Sequence, residues 1–336
     1  MEDTIVKIDN LDIKIKLDEG ILTPVRGVSL SIRENEALGL VGESGCGKSL
    51  TSKAILGIND KKCVTTGRID FNVDGEWLNL LDLDPKGATI RGIRGKMASM
   101  IFQEPMSSFS PLFKIGSQIS EPIRLHITKD KKQAKELAIK AMREVGISNP
   151  EERYSQYPHE FSGGMLQRAL IAMALVCNPK LLIADEPTTA LDVTIQAQIL
   201  DLMKRLQKEY KMAILYVTHD LGTVARMCDR VAVMYLGRIV EMGTVMDIFK
   251  NPLHPYTKGL LGSVHKIGGG SERLFSIEGT VPLAMNLENR CSFFERCTFR
   301  DEQECTKEEP HLHEVEAGHS VACTLDFSAT VKQNIG

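Results

Sequence analysis

A glycine-rich loop between an apolar stretch and a helix-forming stretch constrains the fold of this chain more than any other feature. Residues 42–49 match the spacing G-x-x-x-x-G-K-[ST] in full. Residues 37–41, Ala-Leu-Gly-Leu-Val, predict a short buried strand before the loop, and residues 48–56 predict a helix after it. Strand and helix alternate again up to about residue 250. A parallel sheet with covering helices requires this alternation, so we predict an α/β fold.

The residue types of this loop suit a chain of phosphates. Glycines let the backbone wrap the phosphates, with amide N–H groups pointing inward at a helix N-terminus. The side chain of Lys48 is expected to reach the β- and γ-phosphates, and the Ser49 hydroxyl is expected to ligate Mg²⁺. A glycine turn with no ligand is the alternative, and the flanking strand and helix count against it. The predicted nucleotide cradle consists of Gly42, Glu43, Ser44, Gly45, Cys46, Gly47, Lys48 and Ser49.

Two carboxylates end a second apolar stretch. Residues 181–184 are Leu-Leu-Ile-Ala, which predicts a fully buried parallel strand, and Asp185 and Glu186 follow at its carboxyl end. Ligands of open α/β sheets bind at this end of the strands. We expect Asp185 to hold Mg²⁺ and Glu186 to accept a proton from the attacking water or to orient it.

Three further motifs and one helix start accompany these two. Gln103 follows an apolar strand at residues 97–102, residues 190–192 are Ala-Leu-Asp, and His219 ends the apolar stretch 213–218. Residues 161–168, Phe-Ser-Gly-Gly-Met-Leu-Gln-Arg, begin an apolar helix. The first main-chain N–H groups of this helix have no partner within the helix, and its N-terminus is the positive end of the helix dipole. Both features favour binding of an anionic phosphate.

In this order, over about 180 residues, the motifs resemble those of the ATPase subunits of ABC transporters. The resemblance covers roughly residues 4–262. It implies that Gln103 contributes to catalysis and to the Mg²⁺ site, that Asp192 belongs to the nucleotide site, and that His219 contacts the γ-phosphate. It also implies a site completed in trans, in which one subunit closes over the nucleotide of its partner. The residues that would do so are Ser162, Gly163 and Gly164.

The resemblance also implies a domain organisation. We expect a P-loop ABC ATPase at residues 1–262, with a parallel-sheet core, an N-terminal antiparallel β-subdomain and a helical subdomain inserted at about residues 105–178. Apolar residues recur at helical spacing in this insertion and predict a helix at residues 129–145. Residues 263–336 would form a small C-terminal extension that contains cysteines.

A segment near the C-terminus narrows the resemblance. Residues 251–261, Asn-Pro-Leu-His-Pro-Tyr-Thr-Lys-Gly-Leu-Leu, resemble a stretch of oligopeptide and dipeptide importer ATPases, as do residues 102–108 and Met165. The implied partners are a second ABC ATPase (a paralogue or a copy of this chain), two membrane permeases and, indirectly, an external peptide-binding protein. A nickel or other small-ligand importer is the first alternative. A soluble ABC ATPase of translation or DNA repair is the second.

Composition bears on partners and location. The longest purely apolar run, residues 169–176, is far shorter than a membrane span, and the N-terminus lacks the pattern of a signal peptide. With a net charge of −3 and no long basic run, no nucleic-acid partner is expected. We therefore expect a peripheral protein, held at the cytoplasmic face of the cell membrane through permease subunits.

Four of the eight cysteines are spaced C-x₅-C-x₇-C-x₁₇-C. A reduced compartment favours metal over disulfides, and zinc sites usually contain tighter Cys pairs. The spacing suits an iron–sulfur cluster, and the resemblance implies the [4Fe-4S] type; Zn²⁺ and free thiols remain alternatives. The expected ligands are Cys291, Cys297, Cys305 and Cys323. The nearby His311, His313 and His319 are expected on the surface.

Cys46 has a different setting, inside the phosphate loop. It lies two residues from Lys48 and next to a predicted helix N-terminus. Both features stabilise a thiolate, so the sequence predicts a lowered pKa for Cys46 and sensitivity of the ATPase to thiol reagents.

Overall fold

The computed structural model describes residues 3–189, 191–263 and 277–325. The strands are β1 (Thr4–Leu17), β2 (Gly20–Arg33), β3 (Ala37–Val41), β4 (Cys63–Val73), β5 (Glu76–Asn79), β6 (Ala98–Ile101), β7 (Leu181–Asp185), β8 (Ala213–Thr218), β9 (Arg230–Tyr235), β10 (Arg238–Thr244), β11 (His313–Glu316) and β12 (His319–Val321). The helices are α1 (Lys48–Ile55), α2 (Ala88–Ile93), α3 (Pro105–Ser108), α4 (Ile115–His126), α5 (Lys131–Glu144), α6 (Pro150–Arg153), α7 (Gly163–Leu175), α8 (Val193–Tyr210), α9 (Leu221–Met227), α10 (Val245–Lys250) and α11 (Pro255–Gly262).

The chain forms two compact units, and neither is one continuous segment. The first unit contains Met1–Ile5, Ile32–Glu36 and Asp82–Tyr216. The second contains Val6–Ser31, Ala37–Leu81 and Val217–Gly336. The phosphate loop and the described part of the C-terminal extension therefore belong to the same unit, whereas the domain boundary expected near residue 262 stays a prediction.

The first unit combines parallel strands with a group of helices. In this unit β7 lies between β8 and β6, and β6 pairs with β7 in parallel, with Ala98 opposite Leu181. All five residues of β7 are buried, as expected for a strand covered on both faces. Helices α4, α5 and α7 pack on one another, and α3 packs on α7. The apolar faces of α4 and α5 supply buried isoleucine, alanine and methionine side chains, which form the core of this helical group.

The second unit contains an antiparallel sheet and a mixed sheet. The antiparallel sheet has the order β2-β1-β4-β5, and the turn between β4 and β5 is made by Asp74 and Gly75, both at positive φ. In the mixed sheet the order is β11-β12-β10-β9-β3. Here β3 pairs with β9 in parallel, and β9, β10, β12 and β11 pair antiparallel. The fold is thus the α/β arrangement with an N-terminal antiparallel sheet that the sequence predicts.

The C-terminal extension joins the second unit through buried polar and aromatic contacts. Strand β12 pairs with β10, and His319 of β12 lies 2.8 Å from the Glu241 carboxylate of β10. His319 is 2% exposed, so its expected place on the surface is wrong. The carboxylate of Glu309 accepts a hydrogen bond from Arg26 at 3.1 Å. These contacts make the described part of the extension continuous with the core of this unit.

Across the described residues, no helix combines the length and apolar character needed to cross a membrane.

Candidate functional site

The phosphate loop has a backbone that only glycine accommodates at two positions. Gly42 and Gly47 have φ of 154° and 106°. A Cβ atom on Gly42 would lie 2.1 Å from the carbonyl oxygen of Met234, and one on Gly47 would lie 2.2 Å from that of Pro24. The loop therefore wraps tightly against neighbouring main chain, and both glycines are required by space as well as by conformation.

Lys48 is the first residue of α1, and its side chain folds back over the loop. The ammonium donates hydrogen bonds to the carbonyl oxygens of Gly42 at 2.7 Å and Glu43 at 2.9 Å. Lys48 is only 5% exposed, so its charge is concentrated inside the loop. Ser49 follows at the second position of α1 and is partly buried. The cradle expected from residues 42–49 is thus present as a formed loop with a buried cation.

Cys46 differs from the prediction. The thiol is fully buried, and burial raises its pKa although the Lys48 ammonium 3.8 Å away acts in the opposite direction. Desolvation of the thiolate outweighs the nearby positive charge. The predicted lowering of the Cys46 pKa is therefore wrong.

The carboxyl end of β7 carries the two predicted carboxylates. Asp185 is 3% exposed, whereas Glu186, the next residue, is partly buried. Glu186 adopts φ of 48°, a left-handed conformation that costs energy for a residue with a side chain. Its Oε2 accepts hydrogen bonds from Gln103 Nε2 at 2.9 Å and from the Thr189 hydroxyl at 3.0 Å. The structure therefore brings Gln103 and Glu186 together and fixes the carboxylate.

Ser162 and Asp192 each cap a helix in the first unit. The Ser162 hydroxyl accepts from the N–H of Met165 at 3.3 Å, so Ser162 is the N-cap of α7. Ser162 and Gly163 are exposed and Gly164 is partly buried. The Asp192 carboxylate accepts from the N–H of Ile195 at 2.9 Å at the start of α8. Ala190, the first residue of the Ala-Leu-Asp motif, lies outside the described residues.

His219 lies directly after β8, in a turn shaped by its two neighbours. The Thr218 hydroxyl accepts from the N–H of Asp220 at 3.0 Å. The Asp220 carboxylate accepts from the N–H of Gly222 at 2.8 Å and caps α9. His219 is exposed, so the turn presents its imidazole at the surface of the unit.

Three residues that support these sites were not predicted as site residues from the sequence. Thr189 supports Glu186, while Tyr256 and Arg296 both bind Glu43 of the phosphate loop. A threonine three residues after Glu186 is close enough along the chain to have been suspected. Arg296 is 253 positions from Glu43, and no local pattern links residues at that separation.

The four C-terminal cysteines do not form the expected metal site. All are free thiols, and burial raises the pKa of Cys291 to about 12 and that of Cys323 to about 11. The main-chain N–H of Cys291 donates to the carbonyl oxygen of Cys305 at 3.0 Å, so their segments are neighbours. However, within residues 3–189, 191–263 and 277–325, no three His, Cys, Asp or Glu side chains are arranged to hold a metal ion. As arranged here, the set of Cys291, Cys297, Cys305 and Cys323 does not fit Zn²⁺ or an iron–sulfur cluster.

Two protein families match this chain. Residues 25–189 match the family described as ABC transporter. Residues 240–305 match the family described as the oligopeptide/dipeptide transporter C-terminal region. The first match contains the phosphate loop and the β7 carboxylates, and the second contains Tyr256 and Arg296.

Curated relatives and solved structures agree with these matches. The dipeptide transport ATP-binding protein DppD of Bacillus subtilis is 47% identical over 298 residues, which cover 88% of this chain and 87% of DppD. The oligopeptide transport ATP-binding protein AppD of Bacillus subtilis is 45% identical over 325 residues, which cover 96% of this chain and 97% of AppD. A dimeric post-hydrolysis structure of the ATP-binding cassette MJ0796, bound to ADP and Pi, aligns with a TM-score of 0.63 and 25% identity. That alignment covers 71% of this chain and 98% of MJ0796.

Proposed function

Because this chain belongs to the ATP-binding proteins of ABC transporters, we propose that it is the ATP-hydrolysing motor subunit of an importer for di- or oligopeptides. The match of residues 240–305 to the oligopeptide/dipeptide C-terminal region carries the peptide assignment. Relatives named for dipeptide and oligopeptide transport, aligned over most of their length, support it.

In the phosphate loop, we assign nucleotide binding to residues 42–49. The buried Lys48 ammonium donates to two loop carbonyl oxygens, and it would exchange them for the β- and γ-phosphates when nucleotide binds. The loop N–H groups at the start of α1 add donors and the positive end of a helix dipole. His219 is assigned a contact with the γ-phosphate.

On the first unit, Glu186 is assigned to the attacking water. Gln103 and Thr189 hold its carboxylate in one orientation, which suits a group that must accept a proton from the water or align it. Mg²⁺ would neutralise charge on the phosphates, and hard oxygen donors such as those of Ser49, Gln103 and Asp185 suit this ion. Replacing Glu186 by Gln should lower ATP turnover about 10²- to 10⁴-fold while ATP still binds. Near-normal phosphate release by that variant would refute the role.

The helix start at Ser162 is assigned a role in trans. Ser162, Gly163 and Gly164 would close over a nucleotide held by a second ABC ATPase, either a paralogue or another copy, with Asp192 in the same dimeric site. The exposure of Ser162 and Gly163 at the N-terminus of α7 supports this assignment. Ser162→Arg should leave ATP binding by its own chain intact and abolish hydrolysis at the partner's nucleotide.

The remaining partners follow from the proposed transport role. They are two permease subunits and, outside the membrane, a peptide-binding protein; the chain would be peripheral at the cytoplasmic face. Copurification of the tagged chain with the products of adjacent permease genes tests the assembly. In proteoliposomes of that assembly, peptide with its binding protein should stimulate ATP hydrolysis, and Glu186→Gln should not respond. Stimulation by Ni²⁺ instead of peptide would favour the nickel importer.

For the four C-terminal cysteines, our hypothesis is that they bind a [4Fe-4S] cluster. It is supported by their grouping within residues 291–323 and by the main-chain hydrogen bond of 3.0 Å from Cys291 to Cys305, which makes two of their segments neighbours. Against it stands the arrangement of the described residues, in which no three His, Cys, Asp or Glu side chains are placed to bind a metal ion. Anaerobic purification with iron and sulfide analysis tests it, since an iron-free protein that takes up no cluster on reconstitution would end the hypothesis.

A further inference from the structure

An ion pair ties the C-terminal extension to the phosphate loop. Arg296 ends a short 3₁₀ turn, Phe294–Arg296, and its two terminal nitrogens donate to the two carboxylate oxygens of Glu43 at 2.7 and 3.0 Å. Glu43 is the second residue of the loop. The Arg296 side chain is only 6% exposed, so this is a partly desolvated, bidentate pair rather than a loose surface contact.

The rest of the extension holds the guanidinium of Arg296 in place. Its Nε donates to the carbonyl oxygen of Glu278 at 2.9 Å, and Nη2 also donates to that of Gly279 at 3.1 Å. The guanidinium lies 5.8 Å from the ring centre of Tyr235. Because all three nitrogens of the planar guanidinium donate hydrogen bonds, the side chain has little rotational freedom. Arg296 therefore determines where the Glu43 carboxylate lies.

Glu43 is also held by its main chain, at both ends of the residue. Its N–H donates to the hydroxyl of Tyr256 at 2.8 Å, and its carbonyl oxygen accepts from the Lys48 ammonium at 2.9 Å. Tyr256 is fully buried and forms an aromatic cluster with Tyr235 and with Phe293 of the extension, at ring-centre distances of 4.7 and 5.4 Å. One residue thus links the extension, the aromatic cluster and the cation of the loop.

The charge of Glu43 is the reason this contact matters for nucleotide. A loop that receives several negatively charged phosphates is a poor place for a free carboxylate, because like charges in a partly desolvated site repel strongly. The paired guanidinium cancels the charge and keeps the carboxylate on the side of the extension. Removal of Arg296 would leave Glu43 free to rotate and uncompensated.

We propose that Arg296 is a positioning residue for the phosphate loop: it neutralises and tethers Glu43 so that the loop accepts nucleotide phosphates. This inference rests on the nucleotide-binding function proposed above. Arg296 lies in the region matched to oligopeptide/dipeptide transporters, whereas Glu43 lies in the region matched to ABC transporters generally. The extension therefore supplies part of the support of the nucleotide site.

The test measures binding of ADP, which is not consumed, to the full-length protein by calorimetry. Arg296→Ala should raise the Kd for ADP at least fivefold. Adding Glu43→Gln to Arg296→Ala should return the Kd to within twofold of the wild type, because the unpaired charge is then gone. In steady-state hydrolysis the Arg296→Ala effect should fall on the KM for ATP more than on kcat.

Arg290 offers a matched control in the same extension. It pairs with Glu288 and Glu295 at 2.7 and 2.8 Å but has no bond to the loop, so Arg290→Ala should leave the Kd unchanged. If Arg296→Ala fails to fold by circular dichroism, Arg296→Lys replaces it, with an expected two- to fivefold rise in Kd. An unchanged Kd in the Arg296 variant, or a double variant as weak as Arg296→Ala, would overturn the proposal. Failure of the wild type to bind ADP would overturn the nucleotide-binding function as well.

Discussion

Replacement of His319 by leucine would remove one partner of a buried ionic pair in the second unit. Glu241 is fully buried, and its carboxylate accepts three hydrogen bonds, from the N–H of Leu253 at 2.8 Å, the N–H of His254 at 2.9 Å and His319 Nε2 at 2.8 Å. Burial alone lowers the pKa of His319. The hydrogen bond and charge of Glu241, with the charges of Asp247 and Glu316, outweigh burial and raise that pKa above its usual 6.5.

The expected loss of stability in His319→Leu depends on the hydrogen bonds that the Glu241 carboxylate retains. Breaking a buried ion pair by removing one partner costs about 3–5 kcal/mol. Because two backbone donors remain on the carboxylate, we expect the lower end, about 3 kcal/mol, or about 140-fold in an equilibrium constant. With the folded pKa raised, this contribution is fully present below pH 6.5 and declines as the pH rises through the folded value. Well above it, a neutral imidazole should contribute about 1 kcal/mol, that of an ordinary hydrogen bond.

Amide hydrogen exchange of peptides that cover β12 and β10 measures this opening locally. Relative to wild type at the same pH, the His319→Leu variant should exchange about 140-fold faster at pH 6, and the ratio should fall toward about fivefold as the pH rises through the folded pKa of His319. His313→Gln is the control, since His313 is exposed on the adjacent strand. A ratio that is independent of pH, or one that grows with pH, would refute the assignment of a charged His319 to this pair.

Three further outcomes are expected. Gly47→Ala should abolish nucleotide binding in an ADP titration, because its Cβ would lie 2.2 Å from the Pro24 carbonyl oxygen; normal binding would contradict that geometry. Phe293→Ala should lower the free energy of unfolding by about 3–5 kcal/mol in urea titrations, since the ring is 3% exposed and packs on the aromatic cluster; a change below about 1 kcal/mol would contradict the packing. N-ethylmaleimide should label the partly exposed Cys63 about tenfold faster than the buried Cys46, as read by mass spectrometry of the two peptides; faster labelling of Cys46 would restore the lowered pKa that the sequence suggested.

The parts of the fold set by short-range pattern were predictable from the sequence. The apolar stretch 37–41 is β3 with every residue buried, and the helix predicted at residues 129–145 is α5 at Lys131–Glu144. The contact between Gln103 and Glu186 could be expected only from the resemblance to ABC ATPases, because 83 positions separate the two residues. Hydrophobic periodicity and helix capping depend on residues a few positions apart. They therefore predict whether a segment is a helix or a strand, but not which distant residues its side chains contact.

Burial explains where sequence reasoning was wrong. Cys46 sits beside Lys48 in the chain, yet desolvation dominates its pKa. His319 was expected on the surface, yet pairing of β12 with β10 covers it. Neither effect is visible until distant strands are placed side by side. The spacing of the four cysteines likewise indicates a type of chemistry, whereas the distances between thiols depend on loops whose course the spacing does not determine.

The long separation between Glu43 and Arg296 has a consequence for biosynthesis. The two residues are 253 positions apart, and at about 5–20 residues per second a ribosome needs about 13–50 s to add the second after the first. Throughout that interval the nascent phosphate loop carries an uncompensated carboxylate. A chain released before residue 296 keeps it for good, so the loop is completed only when nearly all of the described chain has been made. If Arg296 positions Glu43 as proposed, such incomplete chains should bind nucleotide more weakly than the finished protein.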